Sequence, residues 1–295
     1  MSTGRGVTPE CVLDAKAELG ESPVWLASEA ALWWVDIHAG RLHRFDPADG
    51  ADRVVDLGEP IGSFAARAGG GFVCALKSGF WLLDAQGVRE RRLAAVPDSR
   101  PWHRLNDGRC DRGGRFWAGG IDESHRHRDA RLFRVTADGT LSVHLQDLHI
   151  SNGLAFSPDG RTLYHADTPT RIVHAFDHDP ETGALSNQRV FHHFERRGDN
   201  PDGAAVDAEG FYWVALWGTG AIVRIAPDGR EVARHALPAP HATMPAFGGP
   251  DLRTLYVTTA RQELSGEALE RWPQSGGIFA LRVDVPGLPE PVFAG

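Results

Sequence analysis

The sequence predicts an all-β chain folded as a six-bladed propeller with four-stranded antiparallel blades, and three observations carry that expectation. A turn followed by an aromatic or leucine pair entering an apolar run occurs six times, at Leu32-Trp33, Gly71-Phe72, Phe116-Trp117, Leu163-Tyr164, Tyr212-Trp213 and Leu255-Tyr256. The steps between Leu32, Phe72, Phe116, Leu163, Tyr212 and Leu255 are 40, 44, 47, 49 and 43 residues, the length of one propeller blade. Helical periodicity is almost absent, whereas alternation with the period of a half-buried strand recurs throughout.

Each marker is followed by a second strand signal. The series runs Arg41-Leu42-His43-Arg44-Phe45, Gly79-Phe80-Trp81-Leu82-Leu83, Arg131-Leu132-Phe133-Arg134-Val135, Arg171-Ile172-Val173-His174-Ala175-Phe176, Ala221-Ile222-Val223-Arg224-Ile225 and Gly277-Ile278-Phe279-Ala280-Leu281. Hairpin chemistry follows nearly every copy, at 47–50, 84–87, Ala137-Asp138-Gly139, 179–183 and Pro227-Asp228-Gly229. The best helical candidate is 264–272, a short amphipathic piece stopped by Pro273 and read as an insertion in the sixth blade. Radial repeats bury their faces only against neighbours, so residues 1–295 are expected to form one domain, with roughly the first ten as a flexible tail. The ring is expected to close by pairing a strand from 11–17 with C-terminal strands, which removes the open edges.

Bulk properties exclude several partners. With 31 basic against 39 acidic residues and no run of Lys or Arg, a surface that tracks phosphates is not expected, so nucleic acid is excluded as a partner. No apolar stretch approaches the ~20 residues that span a bilayer, and the N-terminus lacks the apolar core of a secretory signal, so no membrane is expected. The three cysteines, Cys11, Cys74 and Cys110, are scattered, without a Cys-x-x-Cys pair, and suggest neither a disulfide framework nor a thiolate metal site. The reducing cytoplasm is the expected compartment.

A propeller gathers the starts of its innermost strands around a central channel. Counting back ten or eleven residues from each marker gives Glu21, Asn106, Asn152 and Asp202 in blades one, three, four and five, and Ile61-Gly62 and Met244-Pro245 in blades two and six. Alone, Asn106-Asp107-Gly108, Asn152-Gly153 and Asp202-Gly203 each read as an ordinary turn. Together, at one repeat position, they are costly polar groups in a channel and require a partner. Two carboxylates with amide oxygens are hard ligands, suited to Ca²⁺, Mg²⁺, Mn²⁺ or a borderline ion such as Zn²⁺ or Fe²⁺. Asp36 and Asp167, each four residues past a marker, are expected to form strand-end hydrogen bonds between blades.

Competing chemistries lack their residues. There is no Gly-x-Ser-x-Gly elbow, no His-Glu-x-x-His and no glycine loop opening a helix. His125-x-His127 and His192-His193 sit in polar, Arg-rich surroundings expected to be exposed connections between strands.

Several long motifs match one family. Leu19-Gly20-Glu21-Ser22-Pro23-Val24-Trp25, His103-Arg104-Leu105-Asn106-Asp107-Gly108, Ser151-Asn152-Gly153-Leu154-Ala155-Phe156-Ser157-Pro158-Asp159-Gly160, Pro201-Asp202-Gly203 and Phe247-Gly248-Gly249-Pro250 resemble the SMP-30/gluconolactonase family, also called the regucalcin family. The resemblance runs from about residue 10 to the end, and in its C-terminal part looks most like bacterial pentonolactonase and gluconolactonase members. It implies a six-bladed propeller that hydrolyses a sugar lactone to the aldonic acid with one divalent metal (Ca, Zn, Mn or Fe). It places Glu21, Asn152 and Asp202 at the metal, with Asp202 also the catalytic acid or base, and Arg104, Asn106, Asp107 and Glu123 at the substrate. The family's substrate-contacting Glu aligns with Ser124, one residue after Glu123, and its small polar and cysteine residues before Phe-Gly-Gly are Met244-Pro245-Ala246 here. Both departures are expected on the sugar-contacting rim. The alternatives are a non-catalytic metal- or ligand-binding regulatory propeller and a metal-dependent aryl-ester or organophosphate hydrolase.

Overall fold

The structure, a computed structural model, describes residues 8–295, so most of the expected N-terminal tail lies outside the described residues. Six four-stranded antiparallel sheets follow one another around a ring. Blade one contains β2 (Gly20–Leu26), β3 (Ala31–Asp36), β4 (Arg41–Asp46) and β5 (Ala51–Asp56), and blade two β6 (Ile61–Ala66), β7 (Phe72–Leu76), β8 (Gly79–Leu83) and β9 (Arg89–Ala94). Blade three runs β10 (His103–Cys110), β11 (Phe116–Asp122), β12 (Ala130–Val135) and β13 (Leu141–Leu148), and blade four β14 (Ser151–Phe156), β15 (Thr162–Asp167), β16 (Ile172–His178) and β17 (Leu185–His193). Blade five contains β18 (Asp199–Val206), β19 (Tyr212–Gly218), β20 (Ala221–Ile225) and β21 (Glu231–Ala236).

Blade six is assembled from both ends of the chain. Its strands β22 (Ala242–Gly248), β23 (Thr254–Thr259) and β24 (Ile278–Arg282) are completed by β1 (Glu10–Leu13), which pairs with β24 through Glu10↔Ala280 and Cys11↔Phe279. The closure expected from 11–17 therefore forms, one residue earlier and shorter. The helix expected over 264–272 is α1 (Gly266–Arg271), lying between β23 and β24, with the Ser265 hydroxyl accepting the Ala268 N–H at 3.2 Å. Among the described residues, no helix is long and apolar enough to cross a membrane.

All six markers lie in the second strand of their blade and are buried between blades. Burial falls from hub to rim: β2 is buried almost throughout, whereas β5 is mostly exposed. The innermost strands share a further irregularity. The register of β2 with β3 shifts between Glu21 and Val24, that of β10 with β11 between Leu105 and Gly108, that of β14 with β15 between Asn152 and Ala155, and that of β18 with β19 between Pro201 and Ala204. Such bulges bend a strand and re-aim its side chains. Asn106-Asp107-Gly108, Asn152-Gly153 and Asp202-Gly203 consequently lie inside strands, and none of them is a hairpin turn.

Two expectations about position are corrected. Asp36 accepts the N–H groups of Glu18 and Leu19 at 3.0 and 3.1 Å, and Asp167 those of His149 and Ile150 at 3.1 and 3.0 Å. These bonds hold the chain as it enters the innermost strand of the same blade and do not join neighbouring blades. His192 and His193 belong to the outermost strand β17 and not to a connection, because the strand continues past the marker spacing to pair His192 with Val173 and His193 with Ile172.

Candidate active site

At one end of the hub the bulged strands open a cavity of about 620 Å³. Glu21, Arg104, Asn106, Asn152 and Asp202, drawn from four blades, all line it. Residues up to 181 positions apart along the chain therefore line one cavity because Glu21, Asn106, Asn152 and Asp202 each sit at or just inside the register shift of an innermost strand, with Arg104 two residues before Asn106.

The polar groups are wired in a definite order. Arg104 Nη1 donates to Asn106 Oδ1 at 2.5 Å, and Asn106 Nδ2 donates to Asn152 Oδ1 at 2.8 Å and to the Ser151 carbonyl at 3.0 Å. Asn152 Nδ2 donates to Thr168 Oγ1 at 2.9 Å, and that hydroxyl donates to the Pro201 carbonyl at 2.8 Å. Arg104 Nε is held by Glu123 Oε1 at 2.9 Å. Ser22 N–H donates to Glu21 Oε2 at 2.8 Å, with Ser22 itself in the left-handed region at φ 48°. A non-glycine residue there is strained, and such strain is found where a site over-determines the backbone.

Electrostatics mark the same residues. Burial pushes the Glu21 carboxyl up to about 8, and the nearby Asp107 carboxylate adds to the rise. Burial also raises Asp202 well above the usual carboxylate range, followed in effect by the charges of Glu21 and Asp107, while Arg104 acts in the opposite sense. Burial lowers the Arg104 pKa, and Glu123, Glu21 and Asp202 oppose that fall. Two buried acids repelling one another are an unfavourable arrangement that a cation between them would reverse.

The donor set fits a hard divalent cation. No side chain donates to Glu21 or Asp202 among the described residues, both acids face the cavity, and Asn152 Oδ1 keeps a second lone pair beyond the one taken by Asn106. Among the described residues no three His, Cys, Asp or Glu side chains cluster as a metal site. The set here has two acids, and its third donor is an amide oxygen.

Asp107 stands apart from the other residues expected at the substrate. It does not line the cavity: its Oδ2 accepts the Leu154 N–H at 2.8 Å, its Oδ1 is buried without a hydrogen-bond partner, and burial raises its pKa to about 6. The bulge turns it away from its neighbour Asn106. Glu123 does line the cavity, whereas Ser124 turns its backbone N–H to Asp122 Oδ1 at 2.7 Å. Met244 is buried against Gly203 and lines a separate small pocket with Ser22, Arg109 and Glu290, so the residue expected on the sugar-contacting rim lies away from this cavity.

Other wall residues had no sequence signal at the repeat position. Trp217 stacks on His241 with ring centroids 3.9 Å apart and lines the cavity, and His38 Nε2 meets Gln262 Oε1 at 3.2 Å on its rim. His125 and His127 are exposed between β11 and β12 as expected, yet that loop brings His125 to the cavity. All three cysteines are free thiols, in line with the absence of a disulfide framework.

Residues 19–261 match the model of the family described as SMP-30/Gluconolactonase/LRE-like region. The chain is 46% identical to a 6-deoxy-6-sulfogluconolactonase from Pseudomonas putida over 98% of this chain and 99% of that protein, and 37% identical to a regucalcin from Xenopus laevis over 97% and 98%. It also superposes on the crystal structure of a calcium-binding protein, regucalcin, from Agrobacterium tumefaciens with a TM-score of 0.93 at 32% identity, covering 98% of this chain and 97% of that one. The protein belongs to the SMP-30/gluconolactonase/LRE-like family.

Proposed function

We propose that the protein hydrolyses sugar lactones to aldonic acids with one divalent cation at the hub. It is a lactonase, and the observation that carries the finer reading is the meeting of Glu21, Asn152 and Asp202 on a single cavity shared with Arg104 and Asn106. The cation, one of Ca²⁺, Zn²⁺, Mn²⁺ and Fe²⁺, would be held by the two carboxylates and Asn152 Oδ1; when bound it supplies Lewis acidity at a carbonyl and lowers the pKa of a water.

The chain's own residues supply the remainder. Hydrolysis forms a bond from water oxygen to the lactone carbonyl carbon, breaks the bond from that carbon to the ring oxygen, and moves one proton from the water to the departing oxygen. Asp202, whose carboxyl opens on the cavity, is the group suited to carry that proton. Arg104, oriented by Glu123 and Asn106, stabilises the oxyanion or grips a sugar hydroxyl. Asn106, tied to Ser151 and Asn152, orients the ring.

The chemistry of the cavity wall supports one substrate class. Arg104, Asn106, Glu123, Asn200 and Gln262 present hydrogen-bonding groups, and Trp217 offers an aromatic surface to the C–H face of a sugar ring. This favours polyhydroxylated lactones such as glucono-, xylono-, galactono- and arabinonolactone. The Pseudomonas relative's name adds gluconolactone carrying a 6-sulfo group to the panel.

The test is acid release from this panel, with each cation in turn and with a chelator, against spontaneous hydrolysis. The reading expects turnover on at least one aldonolactone, abolished by the chelator and restored by cation. Cation-dependent thermal stabilisation without turnover would instead mark a binding propeller. Turnover confined to aryl esters or organophosphates would mark a different hydrolase.

A further inference from the structure

We infer that Thr168 is the positioning residue that fixes the Asn152 amide, as the final member of a one-way hydrogen-bond relay that begins at Arg104. The inference rests on the reading of Asn152 as a cation ligand and names what orients that ligand.

The direction of the relay follows from its two ends. A guanidinium can only donate, so Asn106 must present Oδ1 to Arg104, 2.5 Å away. Its Nδ2 then faces Asn152 at 2.8 Å and requires an acceptor there, so Asn152 presents Oδ1. The Asn152 Nδ2 is left to donate, and Thr168 Oγ1 receives it at 2.9 Å. That hydroxyl still has one hydrogen, which the Pro201 carbonyl accepts at 2.8 Å. A carbonyl can only accept, so the second end is fixed as firmly as the first.

Flipping the Asn152 amide would set two NH₂ groups against each other at Asn106. It would also require the Thr168 hydroxyl to abandon Pro201. Orientation is thus over-determined, and it is the orientation that keeps an oxygen on the side where a cation needs one. Thr168 is itself rigid: its N–H donates to the Ile150 carbonyl at 3.1 Å, and Pro169 follows it. Because Pro201 immediately precedes Asp202, one hydroxyl ties the side chain of one ligand to the backbone carrying another. Partners that orient a metal's ligands in this way typically change affinity by about 10- to 100-fold when removed.

The test compares full-length wild type with Thr168→Val, Thr168→Ala and Thr168→Ser by calorimetric titration with Ca²⁺ and with Mn²⁺ alone, without substrate. The valine retains shape and removes the hydroxyl; the serine retains the hydroxyl. We expect Thr168→Val and Thr168→Ala to raise the cation Kd by about 10- to 100-fold, with Thr168→Ser staying within about threefold of wild type. The NMR signals of the Asn152 side-chain amide in the cation-free protein should shift or broaden in Val and Ala and hold in Ser, a readout that needs no cation. Wild-type Kd values in Val and Ala, or a serine variant as weak as valine, would overturn the inference while leaving the ligand reading intact. A wild-type protein that binds neither of these cations, nor Zn²⁺ or Fe²⁺ in the same titration, overturns the ligand reading and the inference with it. If Thr168→Val fails to fold, Thr168→Ala and the amide signals decide.

Discussion

The Tyr212 hydroxyl of blade five donates to the Gly153 carbonyl of blade four at 2.8 Å. Tyr212 is the marker that makes the fifth repeat visible, and Gly153 is the residue after Asn152, held at φ 62° inside the bulge. One buried bond therefore joins the packing between blades to the backbone that presents a candidate ligand. Removing the hydroxyl leaves a buried carbonyl unpaired, so Tyr212→Phe should destabilise the protein by about 1–3 kcal/mol. Urea unfolding followed by circular dichroism measures it, and an unchanged midpoint would show that the bond contributes nothing. Gly153→Ala should cost more, because a Cβ there would stand 2.5 Å from the Tyr212 oxygen in a left-handed backbone.

Glu21 and Asp202 repel each other in a cavity where burial already disfavours charge. Asp202→Asn removes one of the two acids that burial and their mutual repulsion hold from ionising. Without cation at pH 7 the variant should melt higher than wild type by a few degrees, because Asp202 ionises freely in the unfolded chain and is held from ionising in the folded one, a cost of about 1 kcal/mol or more. With cation it should gain little, and turnover should drop by about 10²-fold or more. Calorimetry with and without chelator separates these effects. A variant stabilised by cation as much as wild type would remove Asp202 from the ligand set.

The repeat carried much of this architecture in its sequence, and the reason is geometric. A marker buried between blades, with a fixed strand length behind it, places a residue ten or eleven positions earlier at the hub, which brought out Glu21, Asn106, Asn152 and Asp202. Residues at or beyond the far ends of strands had no such ruler: Thr168 follows β15, Trp217 is the penultimate residue of β19, and His38 and Gln262 lie beyond strand ends. Asp107 shares a motif with Asn106, but a bulge reverses its direction. One regular feature carries no sequence signal of its own. Asp111 and Asp207, five residues past Asn106 and Asp202, accept the indole N–H of Trp117 and Trp213, both at 2.9 Å. In sequence each looks like an ordinary turn aspartate.

Asp207 is fully buried and accepts from Trp213 Nε1, from Arg224 Nε and Nη2 at 2.9 and 2.7 Å, and from the Glu209 and Phe211 N–H groups at 3.0 Å. Asp207→Ala would leave the buried Trp213 indole N–H unpaired and the partly buried Arg224 guanidinium with only the exposed Glu209 carboxylate, so a loss of about 3 kcal/mol is expected. Cation affinity of the folded fraction should stay near wild type, because Asp207 does not line the site cavity. Denaturant unfolding and cation titration test the two halves separately. A loss below about 1 kcal/mol would mean the pair behaves like an exposed one.

His165 gives a pH dependence whose sign follows from its surroundings. It is buried behind Asn152's neighbour, with Nε2 2.8 Å from the Ser151 hydroxyl, and burial pushes its pKa down from 6.5 to about 4; His174 lowers it further while Asp167 opposes the fall. Above pH 6.5 the ring is neutral in folded and unfolded chains alike, and stability is unaffected by it. Between about 6.5 and 4 the unfolded chain takes up a proton that the folded one refuses, so stability declines as pH falls through that window. The full shift corresponds to an upper limit of about 3 kcal/mol. Unfolding free energies at pH 7, 5.5 and 4.5 for wild type and His165→Asn isolate this contribution, since the carboxylates that also titrate at low pH are common to both proteins. The wild type should lose more stability on acidification than the variant, and parallel slopes would show that His165 takes its proton as readily in the folded protein as in the unfolded chain.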